Sequence, residues 1–274
     1  MAVGDITLTT SARQNLAALQ NTAQLLQTTQ EHLSTGKQVN SASDNATAYF
    51  ASQGFLQRSN DLTNVKNNLA TALTSVSSAT QSISDVSTLV QQLQGVTTQA
   101  LGTTDTTIRA GLASQFNALL TQLDTLVNDA TFNGTNLLNS TSTSLVVYFN
   151  ETNTTALTVS GVNITASGLN ISAATNNFAS QTDINTSGSL LLTALSTLRT
   201  DASNFGGNAT LIQTRQQFTS DLINNLETAS NNLVLADTNT EAANLQALQA
   251  QNQLGIASLN ISGQQQQAVL RLFP

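Results

Sequence analysis

Residues 222–261 read LINNLETASNNLVLADTNTEAANLQALQAQNQLGIASLNI. Small or apolar residues return there in steps of four and three: Leu222, Leu226, Ala229, Leu233, Ala236, Thr240, Ala243, Ala247, Ala250, Leu254, Ala257 and Ile261, with Thr240 the only polar member. This spacing is a coiled-coil seam and predicts one continuous helix. At about 1.5 Å per residue that helix is roughly 60 Å long, more than a compact domain of this size needs, so it is expected to lie along a partner.

The opposite end supplies one. Ala12, Leu16, Leu19, Ala23, Leu26, Gln30 and Leu33 repeat the same spacing, and pairing the two ends makes everything between them leave and return as a hairpin. The C-terminal helix also carries an offset stripe, Leu245, Leu248, Ile256 and Leu259, which one partner cannot cover together with the first. Between Ala236 and Ala250 the first stripe is mostly Ala, which buries far less than the leucines worth roughly 1.5–3 kcal/mol each. Weak alone, such a helix is expected to be stable among copies of itself.

Composition agrees. The 274 residues suffice for about two domains, yet aromatics are 4% and charged residues 8%, so the surface is Asn, Gln, Ser and Thr. That surface suits subunits packed against subunits. A net charge of −7 with eight Lys and Arg argues against nucleic acid, which needs clustered cations. There is no Cys for disulfides or thiolate metal sites. No apolar run reaches membrane-spanning length, and residues 1–10 lack the basic start and apolar core of a cleaved signal peptide, so export would take another route. The one Pro is Pro274, leaving Gly and Asn to punctuate the helices.

In order, a first helix is expected from Leu8 to Leu33, capped by Gly36. The run Asn40 to Ala46 offers N-cap side chains for a helix through Arg58 and makes a joint between domains. A seam restarts at Leu62 with Val65, Leu69, Ala72, Val76, Ala79, Ile83, Val86, Val90 and Leu93. Gly102 to Asp105 is a turn, and Ile108, Leu112, Phe116, Leu119, Leu123, Leu126 and Ala130 form an antiparallel helix. Phe132-Asn133-Gly134 signals a turn, after which Leu145–Phe149, Leu157–Val159, Val162–Ile164 and Leu169–Ile171 read as short β runs packed on the helical body. A helix returns near Leu190, is interrupted at Gly206-Gly207, and continues from Leu211 into the terminal seam. The fold class is mainly α: an elongated helical hairpin or coiled-coil rod with its terminal helices paired, plus a small β-rich insert.

At this point the chain resembles a bacterial flagellin from end to end. Leu33-Ser34-Thr35-Gly36-Lys37-Gln38-Val39-Asn40-Ser41-Ala42-Ser43-Asp44-Asn45-Ala46 is similar to the family's segment joining inner core and outer helices. Thr131-Phe132-Asn133-Gly134 with Leu137-Leu138 looks like its Phe-Asn-Gly turn, and Leu254-Gly255 with Gln264, Val269, Leu270 and Leu272 resembles its C-terminal signature. The resemblance implies a flagellar filament subunit used for swimming, exported unfolded by the type III apparatus to the extracellular flagellum. Its implied partners are many copies of itself, an export chaperone, the filament cap and hook-junction proteins, with no nucleic acid and no membrane insertion. It implies residues 1–44 with 222–274 as an inner terminal domain, 45–140 with 186–221 as an outer helical bundle, and 141–185 as a surface insert.

Assembly residues on this reading are Leu16, Leu19, Leu26, Leu33, Leu233, Ala243, Ala250, Leu254, Ala257 and Ile261; the joint is Gly36, Asn40, Ser41 and Asp44. Exposed Thr152, Thr154 and Thr155 are candidates for the O-glycosylation common in the family, and Asn150, Asn153, Asn163 and Asn170 open Asn-x-Ser/Thr sequons. The family's usual Arg stands as Gln38, and Pro274 extends or replaces a typical basic terminus. Gln91-Gln92-Leu93-Gln94-Gly95-Val96 replaces an Arg-rich segment sensed by an innate-immune receptor, which argues against that recognition.

Direct chemistry is sparse. The one His, His32, makes no zinc site without Cys or a second His, and is expected to face solvent or another subunit. Asp237 and Glu241, one turn apart, have no ligand loop around them. No cofactor site and no enzyme are expected. The alternatives are a hook–filament junction protein and a secreted coiled-coil adhesin.

Overall fold

The computed structural model describes residues 10–270. Leu8, Leu272 and Pro274 lie outside them, as do the side chains of Val269 and Leu270. The elements are α1 (Thr10–Thr35), α2 (Ala46–Leu101), α3 (Thr106–Asp129), β1 (Ser144–Tyr148), β2 (Ala156–Ser160), α4 (Gln181–Val234) and α5 (Thr238–Leu270). The fold is mainly α, with long helices and one two-stranded sheet. It divides into two compact units, residues 1–58 with 225–274 and residues 59–224.

The second unit holds the large apolar core. Val65, Leu69, Ala72, Val76, Ala79, Ile83, Val86, Val90 and Leu93, the whole expected stripe of α2, are buried. On α3 the buried line is Arg109, Ala113, Phe116, Leu120, Leu123 and Val127. This line is offset from the one read in the sequence: Phe116 and Leu123 sit inside, whereas Ile108 is exposed. Asp105 caps α3, its carboxylate accepting from the amides of Thr107 (2.8 Å) and Ile108 (3.3 Å).

Two corrections concern helix boundaries. Gly206-Gly207 does not interrupt α4, because Leu198, Phe205 and Ile212 flank the pair as buried core residues; their burial outweighs the roughly 1 kcal/mol that each helical Gly costs. The terminal seam, conversely, is not one helix. α4 ends at Val234 and α5 starts at Thr238. Asp237 makes the break: its carboxylate accepts from the amides of Asn239 (3.0 Å) and Thr240 (3.3 Å) and from the Thr240 hydroxyl (3.0 Å), so it opens a new helix.

The region between α3 and α4 is also less β-rich than its sequence suggests. β1 and β2 pair antiparallel with Leu145 opposite Val159 and Val147 opposite Leu157. The runs 162–164 and 169–171 are not strands. Val162 and Ile164 donate to the carbonyls of Leu137 and Leu138, and Ile171 donates back to Ala166 in a tight turn. Gly161 permits this course, since a Cβ there would lie 2.6 Å from Ser140 O. The Phe132–Thr135 turn closes with reciprocal backbone bonds and puts Asn133 (φ 49) and Gly134 (φ 78) in the left-handed region. Val147, Val159, Ile164, Leu169, Ile171 and Phe178 join the same core cluster as the helices.

Candidate assembly surface

The first unit contains the paired terminal helices. α1 turns Ala12, Leu16, Leu19, Leu26, Thr29 and Leu33 inward, while Ala23 and Gln30, expected on that face, are exposed. α5 presents Leu245, Leu248, Asn252, Gly255 and Leu259 as its half-buried face. Side-chain bonds lock α1 to α5: Asn15 Nδ2 donates to Ser258 Oγ (3.1 Å), and His32 Nδ1 meets Glu241 Oε1 at 3.0 Å. The expected order of the two stripes is therefore reversed. The Leu- and Gly-containing stripe covers α1, because Gly255 lets Leu19 approach where any Cβ would collide.

The α5 part of the stripe read first in the sequence is left open, whereas Leu226 of its α4 part is buried. Ala243, Ala247, Ala250 and Ala257 are exposed, as are Leu254 (70%) and Ile261 (56%). Leu233 is half-buried near the end of α4. Sequence periodicity missed further exposed apolar residues of this unit, among them Leu25 (57%) and Phe50 (64%), because neither lies on a regular stripe.

His32 is a corrected expectation too: it is half-buried and bound to Glu241 within the chain. Asp237 is committed to the N-terminus of α5 and Glu241 to His32, so these two carboxylates serve local structure rather than a shared cation.

The segment from Gly36 to Asp44 is held by backbone contacts within the same unit. Thr35 ends α1, Gly36 takes φ +69, and its carbonyl accepts from Ala236 N (3.0 Å). Gln38 and Val39 both donate to Val234 O. Asp44 Oδ2 accepts from Asn40 N and Ser41 N (2.9 Å each) and Ser41 Oγ (3.1 Å). The backbone bonds from Ser41 and Asn40 hold the Asp44 carboxyl below its ordinary value, and the Thr240 bonds do the same for Asp237. Asp201 is shifted the other way by burial.

Thr152, Thr154 and Thr155 lie exposed in the loop joining β1 to β2. Asn150 organises them: its Nδ2 donates to the hydroxyls of Thr152 and Thr154, and its Oδ1 accepts from the amides of Thr154 and Thr155.

Missed by sequence reasoning are the polar side chains that fasten the insert to the helices. Arg109, buried, donates to the carbonyls of Ala100, Thr103 and Ala179. Asp124 accepts from Ala166 N, and Asn117 accepts from Ala174 N. Among the described residues no group of three or more His, Asp or Glu is placed to hold a metal, and no helix is long and apolar enough to cross a membrane.

Paired terminal helices with an uncovered apolar stripe are the mark of a subunit that packs against other chains. The family model for the bacterial flagellin N-terminal helical region matches residues 6–143, and the chain belongs to the bacterial flagellin family. It is 30% identical over 277 residues to flagellin FljN of Caulobacter vibrioides, covering 100% of both chains. To a flagellin of Brucella melitensis it is 28% identical over 288 residues, covering 99% of each. In fold it resembles a putative flagellar hook-associated protein from Vibrio parahaemolyticus, with a TM-score of 0.60 at 15% identity over 70% of this chain and 100% of that one. As a flagellin, it is a structural subunit of the extracellular flagellar filament and not an enzyme.

Proposed function

We propose that copies join through their terminal helices, with the exposed stripe Ala243, Ala250, Leu254, Ala257 and Ile261 of α5 as the principal contact. Leu16, Leu19, Leu26, Leu33 and Leu233 hold the pair beneath that stripe in register. The observation carrying this reading is the exposure of Leu254 and Ile261 on a helix whose other face is already occupied. Apolar side chains repeated along one face lose water only when another copy covers them.

On this reading the terminal domain of residues 1–44 with 222–274 carries the assembly contacts. Residues 45–140 with 186–221 form a separate helical bundle, and residues 141–185 form a surface insert. Gly36, Asn40, Ser41 and Asp44 make the joint between them. The subunit is exported unfolded, is met by an export chaperone, and adds beneath a filament cap onto hook-junction proteins, where it serves swimming. Thr152, Thr154 and Thr155 are acceptors for O-glycosylation.

The test is negative-stain microscopy of concentrated protein after adding a precipitating salt, for the full chain and for a variant lacking residues 250–274. The full chain gives long filaments, and the truncation remains a helical monomer. Filaments of normal length from the truncation would overturn the proposal; a full chain that caps preformed ends but never polymerises would favour a junction role.

A further inference from the structure

Thr175 to Phe178 make a short turn of the wrong hand for L-residues. Asn176 (φ 47, ψ 32) and Asn177 (φ 51, ψ 35) are left-handed, and Phe178 follows them at φ 59. The other left-handed non-glycine residues among those described, Asn133, Asn153 and Asn170, stand singly. In this region the Cβ crowds the backbone and costs an ordinary residue roughly tenfold in its conformational equilibrium. Asn tolerates the region; a bulky residue such as Phe does not. A strained run persists only where its surroundings hold it in place.

The holds come from α3. Phe178 is fully buried and meets the Phe116 ring edge-on at 5.3 Å. Ala174 N donates to Asn117 Oδ1 at 2.8 Å, and Ala179 O accepts from Arg109 Nη1 at 3.2 Å. The flanks are pinned separately. On one side Ile171 N donates to Ala166 O at 2.8 Å, with Ile171 itself buried. On the other, Ser180 Oγ accepts from Asp183 N (3.1 Å) and donates to Asp183 Oδ2 (2.7 Å), which fixes the start of α4. Between these pins Ser172, Thr175, Asn176 and Asn177 are exposed.

We propose that residues 172–179 are a strap over the Phe116 side of the core that opens as a unit while the helices beneath it stay packed. In the open form Phe178 leaves Phe116 and the three left-handed residues relax. The closed form stores the strain and the open form releases it, so this segment opens more readily than the core it covers. Opening stops at the pins: the Ala166–Ile171 turn and the cap of α4 use none of the strap's contacts. Arg109 stays in place as well, because Ala100 O and Thr103 O still accept from its Nε. The inference is independent of how copies assemble.

The experiment is residue-resolved amide exchange on the full-length monomer over a range of low denaturant concentrations. Ala174 and Ala179, whose amides bond to Asn117 Oδ1 and Asn176 O, are expected to exchange together and faster than Ile171 or Leu123. Their exchange is expected to depend little on denaturant, because opening the strap exposes little surface. Rates equal to that of Leu123, with the same denaturant dependence, would mean that the strap opens only with the whole unit and would overturn the proposal. Asn177 is exposed, so Asn177→Val changes the backbone preference without removing a core contact. It is expected to speed exchange at Ala174 and Ala179 about tenfold, while Asn177→Asp, which keeps the tolerance for this region, stays near wild type. Asn177→Ala shifts exchange in the same direction as the valine variant and replaces it if that variant fails to fold. Wild-type exchange in the valine or alanine variant overturns the strained turn as the source of opening.

Discussion

A methyl group added to Gly255 would stand 2.6 Å from Leu19 Cδ1, the tightest approach between α1 and α5 at any glycine. The neighbour is the far end of a flexible side chain, so the cost depends on what is added. Gly255→Ala gains up to about 1 kcal/mol of helix propensity and loses a similar amount as Leu19 shifts. Gly255→Val cannot be accommodated by that shift and is expected to cost about 1–3 kcal/mol. A denaturation cycle with Leu19→Ala checks the relationship: Gly255→Ala becomes clearly stabilising once Leu19 is shortened. Equal effects of Gly255→Ala in both backgrounds would show that the two residues are not coupled.

Leu254 and Leu123 separate assembly from folding. Leu254 is 70% exposed in the single chain, so Leu254→Lys is expected to leave monomer stability within about 0.5 kcal/mol of wild type. In the filament the same lysine would be buried without a partner, at several kcal/mol per subunit. Leu123 is fully buried, and Leu123→Ala is expected to cost roughly 2–5 kcal/mol in the monomer while polymerising normally once folded. Polymer yields measured at matched concentrations of folded monomer decide it, and equal yields for the two variants would contradict the assignment of the α5 stripe.

Asp44 and Asp237 give the turns flanking α1 and α5 an acid sensitivity. Both carboxyls titrate below the ordinary value of about 3.9 when folded. Their stabilising contribution is therefore fully present above that value and is lost as pH falls through the lower, folded values. Carboxyl NMR should place both midpoints below 3.9 and that of Asp201, raised by burial, above it. Replacing Asp44 and Asp237 by Asn should flatten the fall of thermal stability below about pH 4. An unchanged acid slope in that double variant would remove both residues from the account.

The sequence was most readable where one signal acted alone. The stripe from Val65 to Leu93 is buried throughout because α2 keeps a single period against a continuous apolar wall. At Leu233, Ala236 and Thr240 the four-three spacing runs straight across a helix break. Periodicity cannot register such a break; the available signal was Asp237 followed at short range by Thr240, a capping pattern. Gly206-Gly207 misled in the opposite direction, since local propensity yielded to core packing around Phe205. The clamps formed by Arg109, Asn117 and Asp124 were not legible, because their partners are backbone groups distant in sequence: Ala179, Ala174 and Ala166. Which of α5's two stripes faces α1 turned on the Gly255–Leu19 approach, a fact of side-chain volume invisible to a count of spacings.

The insert is the place where structure changes the expected experiment most. Its sequence suggests a dispensable surface excursion, because the heptad stripes all lie outside residues 141–185. Yet Val147, Val159, Ile164, Leu169, Ile171, Phe178 and Ile184 are buried in the core shared with α2, α3 and α4. Phe178 packs edge-on against Phe116 at 5.3 Å, and Arg215 of α4 lies 4.9 Å over the Phe149 ring. At roughly 1.5–3 kcal/mol for each large apolar side chain, removing these residues forfeits on the order of 10 kcal/mol, comparable to the whole stability of a domain. Replacing residues 141–185 by a short Gly-Ser turn is therefore expected to leave residues 59–224 without a cooperative unfolding transition. Deleting only the exposed loop 151–154 should cost less than about 2 kcal/mol. Calorimetry on both deletions distinguishes the cases: a sharp transition at the wild-type temperature in the large deletion would mean that the helices of this unit close a core by themselves.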